Sequence, residues 1–260
     1  MQLSAWLRHV LVSGRGMLRD PRRISGPGPV LVLGTGRSGT HWIGHILESH
    51  PDIAITIERE PMFSLAKSMA LDPASIARRL PELVRHYRRY RAALHPRLYA
   101  DKSHPTIWFA EQLQVHLPDV RFVGVVRDAA PTVASMLRHR GVMRTIRAWR
   151  DHPVPNPFLG ITEANVEAYA GMSEVERCAV RWRAHVRRLD ELEGPLGDRL
   201  LRFSYETLAD DPATELARLQ RFLALERPFP HTPVRRESLD KWRRDLTDEQ
   251  LEAIRRVTES

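Results

Sequence analysis

The chain has 260 residues, of which 42% are hydrophobic, enough to bury a full core, so global disorder is excluded. Its single cysteine, Cys178, excludes a disulfide framework and a cysteine-based zinc site, and fits a reducing, cytoplasmic setting. A net charge of +8 suggests an anionic partner, yet the arginines are scattered over helical stretches and mixed with glutamates, without the concentrated basic stripe of a nucleic-acid binder.

Residues 1–28 form a basic, mildly amphipathic extension. Its apolar run around Val10 is too short for a signal-peptide core, so it reads as a docking helix or tail, with weak membrane-surface contact as the sharper alternative. No apolar run reaches the roughly 18 residues of a membrane-spanning helix. Residues 29–260 read as one domain.

The first element is a buried strand, Val30, Leu31, Val32 and Leu33, which breaks into the loop "GTGRSGT" and a helix from about residue 39 to 49. A strand at 53–57 ends in the acidic "EREP". Residues 62–94 carry helical periodicity, and "LYADKSH" follows as a brief strand at a sheet edge. "TIWFAEQLQVHL" is a helix, "RFVGVVRD" a second buried strand, and "APTVASMLRHR" the helix after it. Residues 139–172 are rich in proline and glycine and read as a long irregular stretch, a length at which loops become lids. A long helix, "SEVERCAVRWRAHVRRLDELE", precedes a third strand, "DRLLRFSYETL". The helix "DPATELARLQRFLAL" starts on Asp-Pro, and a proline-rich tail from Arg227 becomes helical again at Thr247. This alternation predicts an α/β fold, a short parallel sheet of P-loop type flanked by helices.

Two strand ends carry chemistry. In "GTGRSGTHW", backbone N–H groups of a glycine-rich turn open onto a helix N-terminus and make a concave anion site. Ser38 and Thr40 add hydroxyls, and Arg37 supplies the cation, a planar fork suited to phosphate or sulfate oxygens. In "RFVGVVRDAAPTVASM", Arg127 ends a buried strand and Ser135 lies on the next helix. Ligands of open α/β sheets bind beyond the carboxyl ends of strands, where these two could grip a second phosphate.

"GRSGTHW", "RDAAPTVASM" and "SYETLADDP…RFLAL" occur in the order and rough spacing of sulfotransferases that use 3′-phosphoadenosine 5′-phosphosulfate, and the chain resembles the bacterial and Golgi-type members of that family from about Val30 to Trp242. The resemblance implies that Arg37, Ser38, Gly39, Thr40 and His41 surround the 5′-phosphosulfate, that Trp42 stacks on adenine, that Arg127 and Ser135 hold the 3′-phosphate, and that Tyr205 meets the adenine edge. Two positions depart from the family pattern. His41 replaces a threonine, and Ala129-Ala130-Pro131 stands where a proline directly follows the aspartate. "RRESLDKW" echoes a basic segment that clamps the 3′-phosphate in cytosolic members, which makes Arg235 and Arg236 candidates although both glycines of that segment are gone.

The implied reaction moves a sulfuryl group from a phosphate to a hydroxyl of a carbohydrate, lipid or small metabolite. Positioning and electrostatics dominate such transfers, a base serves the acceptor, and no metal is expected. Two side chains compete for the base. Glu60, in "IEREPMF", resembles the glutamate of Golgi-type members and is favoured by its place at the strand end. His104, in "DKSHP", resembles the histidine of cytosolic members. Lys102 of the same triplet would stabilise charge on the departing phosphate. Strand alternation sends Glu58 to the same side as Glu60, so it stays open as well. Trp108 and Phe109 line an acceptor pocket or belong to the core. Residues 62–98 and 139–172 would cover the acceptor, and Arg85, Arg88 and Arg89 would suit an anionic one. The competing readings are a P-loop small-molecule kinase, which would want a lysine in the loop, and a non-catalytic basic nucleotide-binding protein of the same fold.

Overall fold

The computed structural model describes residues 26–230 and 237–259, together with residue 14. The basic extension and the candidates Arg235 and Arg236 lie outside the described residues, apart from that residue and 26–28.

Five parallel strands form the sheet: β1 (Val30–Gly34), β2 (Ile53–Ile57), β3 (Leu98–Lys102), β4 (Arg121–Val126) and β5 (Leu200–Ser204), in the order β2-β3-β1-β4-β5. β1 sits at the centre, with Val30 opposite Ala100 of β3 on one side and Arg121 of β4 on the other. The strand "LYADK" is therefore interior, not an edge as its sequence suggests; it pairs with β2 along its length and with β1 at Ala100 and Asp101. Its two charged residues hid this. Asp101 and Lys102 are fully buried, but each has polar partners, as interior charges require.

Alternation along the strands sends side chains into two cores. Leu31, Leu33, Tyr99 and Phe122 pack on one face with Leu83, Tyr87 and Tyr90 of a long helix. Val30, Val32, Val123, Val125 and Phe203 pack on the other with Ile43, Ile46 and Leu47. The helices in chain order are α1 (Thr40–Ser49), α2 (Met62–Leu71), α3 (Ile76–Leu94), α4 (Ala110–His116), α5 (Ala129–Leu137), α6 (Arg140–Arg147), α7 (Val166–Gly171), α8 (Glu174–Glu191), α9 (Glu193–Leu196), α10 (Tyr205–Asp210), α11 (Pro212–Leu223), α12 (Glu237–Asp240) and α13 (Asp248–Thr258). The α8 start is fixed by a capping box in which Ser173 and Glu176 satisfy each other's backbone N–H groups.

Two further expectations change. Residues 139–172 are not irregular: α6 and α7 lie within them, and Met143, Ile146, Trp149, Phe158 and Tyr169 bury into a third core with α5 and α8. "SYETL" is not strand beyond Ser204, because the Ser204 hydroxyl accepts from the Glu206 and Thr207 N–H groups and starts α10 there. Pro131 falls in the first turn of α5, where a helical N–H has no partner to lose, so the helix accommodates it. Among the described residues no helix is long and apolar enough to cross a membrane.

Candidate active site

All five strands deliver a candidate residue or loop at their carboxyl ends: the glycine loop after β1, Glu58 after β2, Lys102 to His104 at β3, Arg127 after β4 and Tyr205 after β5. The chain passes from the β1–β2–β3 side to the β4–β5 side there, so the loops diverge and leave a crevice. Two clefts open into it.

The cleft on the β4 side is lined by Arg37, Gly39, Thr40, His41, Trp42, Arg127, Pro131, Ser135, Arg138, Tyr205, Lys241 and Trp242. Its shape depends on left-handed backbone. Arg37 has φ 84° and Gly39 φ 97°, so the loop turns tightly before α1 begins, with the Ser38 N–H closing the turn on the Thr35 carbonyl at 3.1 Å. A Cβ on Gly39 would stand 2.4 Å from Cδ2 of Tyr205, so only glycine allows that ring to lie on the loop. Tyr205 in turn meets Trp42, with ring centroids 5.0 Å apart, and carries the Arg127 guanidinium 4.1 Å over its face. Arg127 is further fixed by its carbonyl, which accepts from Trp182 Nε1 at 2.8 Å. The Arg37 Nε donates to Ser135 Oγ at 3.1 Å and ties the loop to α5. The structure thus brings Arg37, Gly39, Thr40, His41, Trp42, Arg127, Ser135 and Tyr205 together. Ser38 does not line the cleft: its buried hydroxyl donates to the Thr35 and Val125 carbonyls and holds the loop's shape from behind.

The second cleft, toward β2 and β3, is lined by Arg37, His41, Glu58, Lys102, His104, by Phe63, Lys67, Arg144 and Phe158 from the covering segments, and by Arg181 of α8, among others. It shares Arg37 and His41 with the first, so the two clefts meet at the mouth of the loop. Lys102 is 1% exposed and forms an ion pair with Glu58. Its Nζ also lies 3.0 Å from His41 Nδ1, and the other carboxylate oxygen of Glu58 lies 3.8 Å from His41 Nε2. His41, the departure from the family pattern, thus accepts from the buried lysine. His104 Nδ1 stands 3.5 Å from the same Glu58 oxygen that pairs with Lys102. The other ring nitrogen faces the loop, 2.9 Å from where a Cβ on Gly36 would lie.

Burial pushes the His104 imidazole down to about 3 despite the opposing pull of Glu58, so the ring is neutral at pH 7. Burial would raise the Glu58 carboxyl, but His104 and Lys102 outweigh it and hold the group well below the usual carboxylate range. Lys102 and His41 are both lowered, chiefly by burial. The cluster is therefore a cation and a carboxylate in contact, with two neutral imidazoles beside them.

Glu60 is outside this cluster. It is exposed, and its carboxylate accepts from the Ser64 hydroxyl at 2.7 Å and the Ser64 N–H at 3.3 Å on α2. The alternation that placed it beside Glu58 ends with β2 at Ile57: Glu58 adopts φ 43°, while its N–H still donates to the Lys102 carbonyl at 3.0 Å. One left-handed residue turns Glu58 into the cleft and sends Glu60 to the helix start. Trp108 and Phe109 line neither cleft; Phe109 is core, and Trp108 Nε1 donates to His185 at 3.4 Å. Arg85, Arg88 and Arg89 also line neither cleft, and Arg88 donates to the His116 carbonyl.

Sequence reasoning missed Arg138 and Lys241 on the first cleft and Lys67, Arg144 and Arg181 on the second. One signal was present: Arg181 falls in phase with Cys178 and His185 on the buried face of α8, a position where a cation is out of place. Among the described residues no group of three or more histidines, cysteines and carboxylates is arranged to hold a metal ion.

Residues 29–230 match the family model described as Sulfotransferase family. Among solved structures, the chain is similar to the sulfotransferase domain from the curacin biosynthetic pathway, at 15% identity and a TM-score of 0.58, over 90% of this chain and 98% of that one. It is similar to the sulfotransferase domain of the Synechococcus PCC 7002 olefin synthase, at 16% identity and a TM-score of 0.53, over 92% and 97% of the two chains. Sulfotransferase STF9 from Mycobacterium avium aligns over 98% of this chain and 81% of its own, at 14% identity and a TM-score of 0.54. At these identities the likeness is one of fold. No curated protein matches the sequence.

Proposed function

Because this chain belongs to the sulfotransferase family, we propose that it transfers a sulfuryl group from 3′-phosphoadenosine 5′-phosphosulfate to a hydroxyl of a small-molecule or glycan acceptor. The observation that carries this reading is the junction of the two clefts at Arg37 and His41, with a nucleotide-type lining on one side and the Lys102–Glu58–His104 cluster on the other.

On this reading the donor supplies an activated sulfuryl group on a phosphate leaving group. Arg127 and Ser135 hold the 3′-phosphate, with Arg138 and Lys241 beside them on the same cleft. Trp42 and Tyr205 flank the adenine. The loop N–H groups of Arg37, Gly39 and Thr40, at the start of α1, receive the 5′-phosphate end, while the Ser38 N–H is held by the Thr35 carbonyl. Lys102 stabilises the charge that develops on the leaving oxygen as the sulfur–oxygen bond breaks.

His104 takes the acceptor's proton. Its Nδ1 faces Glu58 and its Nε2 faces the loop, so a neutral imidazole presents a lone pair where the acceptor oxygen attacks sulfur. The resulting imidazolium lies beside the Glu58 carboxylate, which offsets part of the burial cost of the new charge. Glu58 itself is a poor base, since its oxygens already face Lys102, His41 and His104. The balance closes: an acceptor oxygen–sulfur bond forms, the donor sulfur–oxygen bond breaks, the bisphosphate leaves, and the proton rests on His104.

Calorimetry with adenosine 3′,5′-bisphosphate and with ATP tests the donor assignment. Tight bisphosphate and weak ATP binding supports it; the reverse points to a kinase and sinks it. Radiolabelled sulfuryl transfer from the donor to a mixed pool of hydroxyl compounds then tests turnover against a purely binding role.

A further inference from the structure

The second cleft carries more positive charge than sulfuryl transfer uses. Five cations line it, Arg37, Lys67, Lys102, Arg144 and Arg181, against one carboxylate, Glu58. Arg37 stands at the junction and Lys102 in the cluster beside it, and on the proposed reading both serve the donor. The other three come from α2, α6 and α8, and none of them lines the nucleotide cleft.

Arg181 is the decisive one. It is 3% exposed, and among the described residues no carboxylate lies within ion-pair distance of it. Its guanidinium lies 4.6 Å over the Phe158 ring, one terminal nitrogen has only the Met136 sulfur at 3.8 Å, and Nε has no hydrogen-bond partner. A buried cation without a counter-ion is strongly disfavoured unless something arrives to pair with it. Lys67 donates only to Thr145 Oγ1, at 3.2 Å, and likewise has no acidic partner among the described residues. Arg144 stands at the mouth, on the exposed stripe of α6 with Arg140 and Arg147, of which Arg147 is taken by Glu174. Between these cations the wall is apolar, formed by Phe63, Pro105, Val142 and Phe158.

We propose that Arg181, Lys67 and Arg144 form an anion subsite for the acceptor, so that the acceptor is an alcohol with an apolar body and a carboxylate, sulfate or phosphate group remote from the reacting hydroxyl. This rests on the sulfotransferase reading for the identity of the cleft as acceptor side, and on the three cations alone for the anion. The apolar body lies along Phe63 and Phe158, the anion pairs with Arg181 in the depth of the cleft, and the hydroxyl points back to His104.

The test uses the full chain and a graded series of ω-hydroxycarboxylates with their methyl esters, titrated by calorimetry with adenosine 3′,5′-bisphosphate saturating the first cleft. Acids are expected to bind about tenfold or more tightly than esters at the best chain length. Lys67→Gln and Arg144→Gln should each weaken acid binding by roughly three- to tenfold and leave bisphosphate affinity unchanged. Arg181→Gln should abolish the preference, and the two more accessible variants keep the test valid if that one does not fold. Equal binding of acids and esters, no binding by any member of the series, or a preference that survives the Lys67→Gln/Arg144→Gln double variant overturns the proposal. Inorganic phosphate bound as tightly as the hydroxy acids would assign the cations to a free anion and overturn the acceptor assignment. Failure of the bisphosphate to bind would sink the donor reading alone, because the acid–ester comparison can then be made on the free protein.

Discussion

Replacing Lys102 by methionine isolates what the buried cation does. Its ammonium is 1% exposed, pairs with Glu58 and lies 3.0 Å from His41 Nδ1. Breaking a fully buried pair on one side costs about 3–5 kcal/mol, because the remaining charge is stranded. The Glu58 side chain keeps 28% of its exposure and still faces His41 and His104, which places the expected loss lower, at about 2–3 kcal/mol. Urea unfolding of the two proteins reads this directly. The variant also has an electrostatic signature. Burial is the main reason that His104 is driven down to about 3, but the positive charge of Lys102 adds to it. Lys102 is also among the groups that hold Glu58 low. Removing it must move both values upward, His104 toward its ordinary range. A histidine-selective NMR titration reads that shift without any acceptor in hand. Sulfuryl transfer should fall by roughly a hundred- to a thousandfold, the usual effect of losing one preorganised charge at a leaving group. A His104 midpoint that does not move, with stability within about 0.5 kcal/mol of the parent, would refute the coupling between these groups.

His104→Ala should reduce transfer by about a hundred- to ten-thousandfold while bisphosphate affinity holds, whereas Glu60→Gln should leave transfer near the parent rate; the opposite ranking in a radiolabel assay would return the base to Glu60. Gly39→Ala combines left-handed strain of about 1–2 kcal/mol with a clash that lifts Tyr205 off Trp42 and Arg127. Bisphosphate affinity should drop about tenfold, and an unchanged calorimetric affinity would show that the ring does not meet the nucleotide. Acidification should destabilise the fold. His104 and His185 are held below their ordinary value of 6.5 by burial, so as pH falls through 6.5 the unfolded chain takes up protons first, and stability declines down to about 3 for His104. Glu58, held low, acts in the same direction below 4.5. Asp101, raised to about 6 by burial, protonates in the folded state first and offsets part of the loss. The net expectation is a fold about 2–3 kcal/mol weaker near pH 5 than near pH 7, and a urea midpoint that rises on acidification would contradict it.

Where the fold followed local pattern, it was legible. The β1–loop–α1 unit and the β4–α5 unit show their strands as apolar runs and their helices as 3.6-residue periods; the bounds of the first fall within a residue of expectation, whereas β4 stops at Val126 and α5 at Leu137, short of the ends read from sequence. Strand order was not legible, because pairing is decided between segments distant in sequence. β3 looks peripheral since it carries Asp101 and Lys102, and only tertiary partners make those charges tolerable inside: Thr56 and Tyr87 for Asp101, Glu58 and His41 for Lys102. The prolines after residue 152 masked α6, whose burial rests on only a few residues, Met143, Thr145 and Ile146.

The candidate site divides in the same way. Arg37, Thr40, Arg127, Ser135 and Tyr205 come together because each follows a strand whose end is fixed by the sheet, so a motif read along the chain also places them in space. Glu58 could not be separated from Glu60 by the same logic, since a single left-handed residue ends the alternation that related them. Arg181 breaks the pattern differently: the apolar phase of α8 predicts burial there, and the residue type predicts exposure. The helix settles the conflict in favour of burial and leaves the guanidinium without an acidic partner among the described residues, facing a cleft that already holds Lys67 and Arg144. A fold gains no stability from that arrangement. An anion entering the cleft would supply the missing counter-charge, which is why the residue that fits its helix worst carries the proposed acceptor subsite.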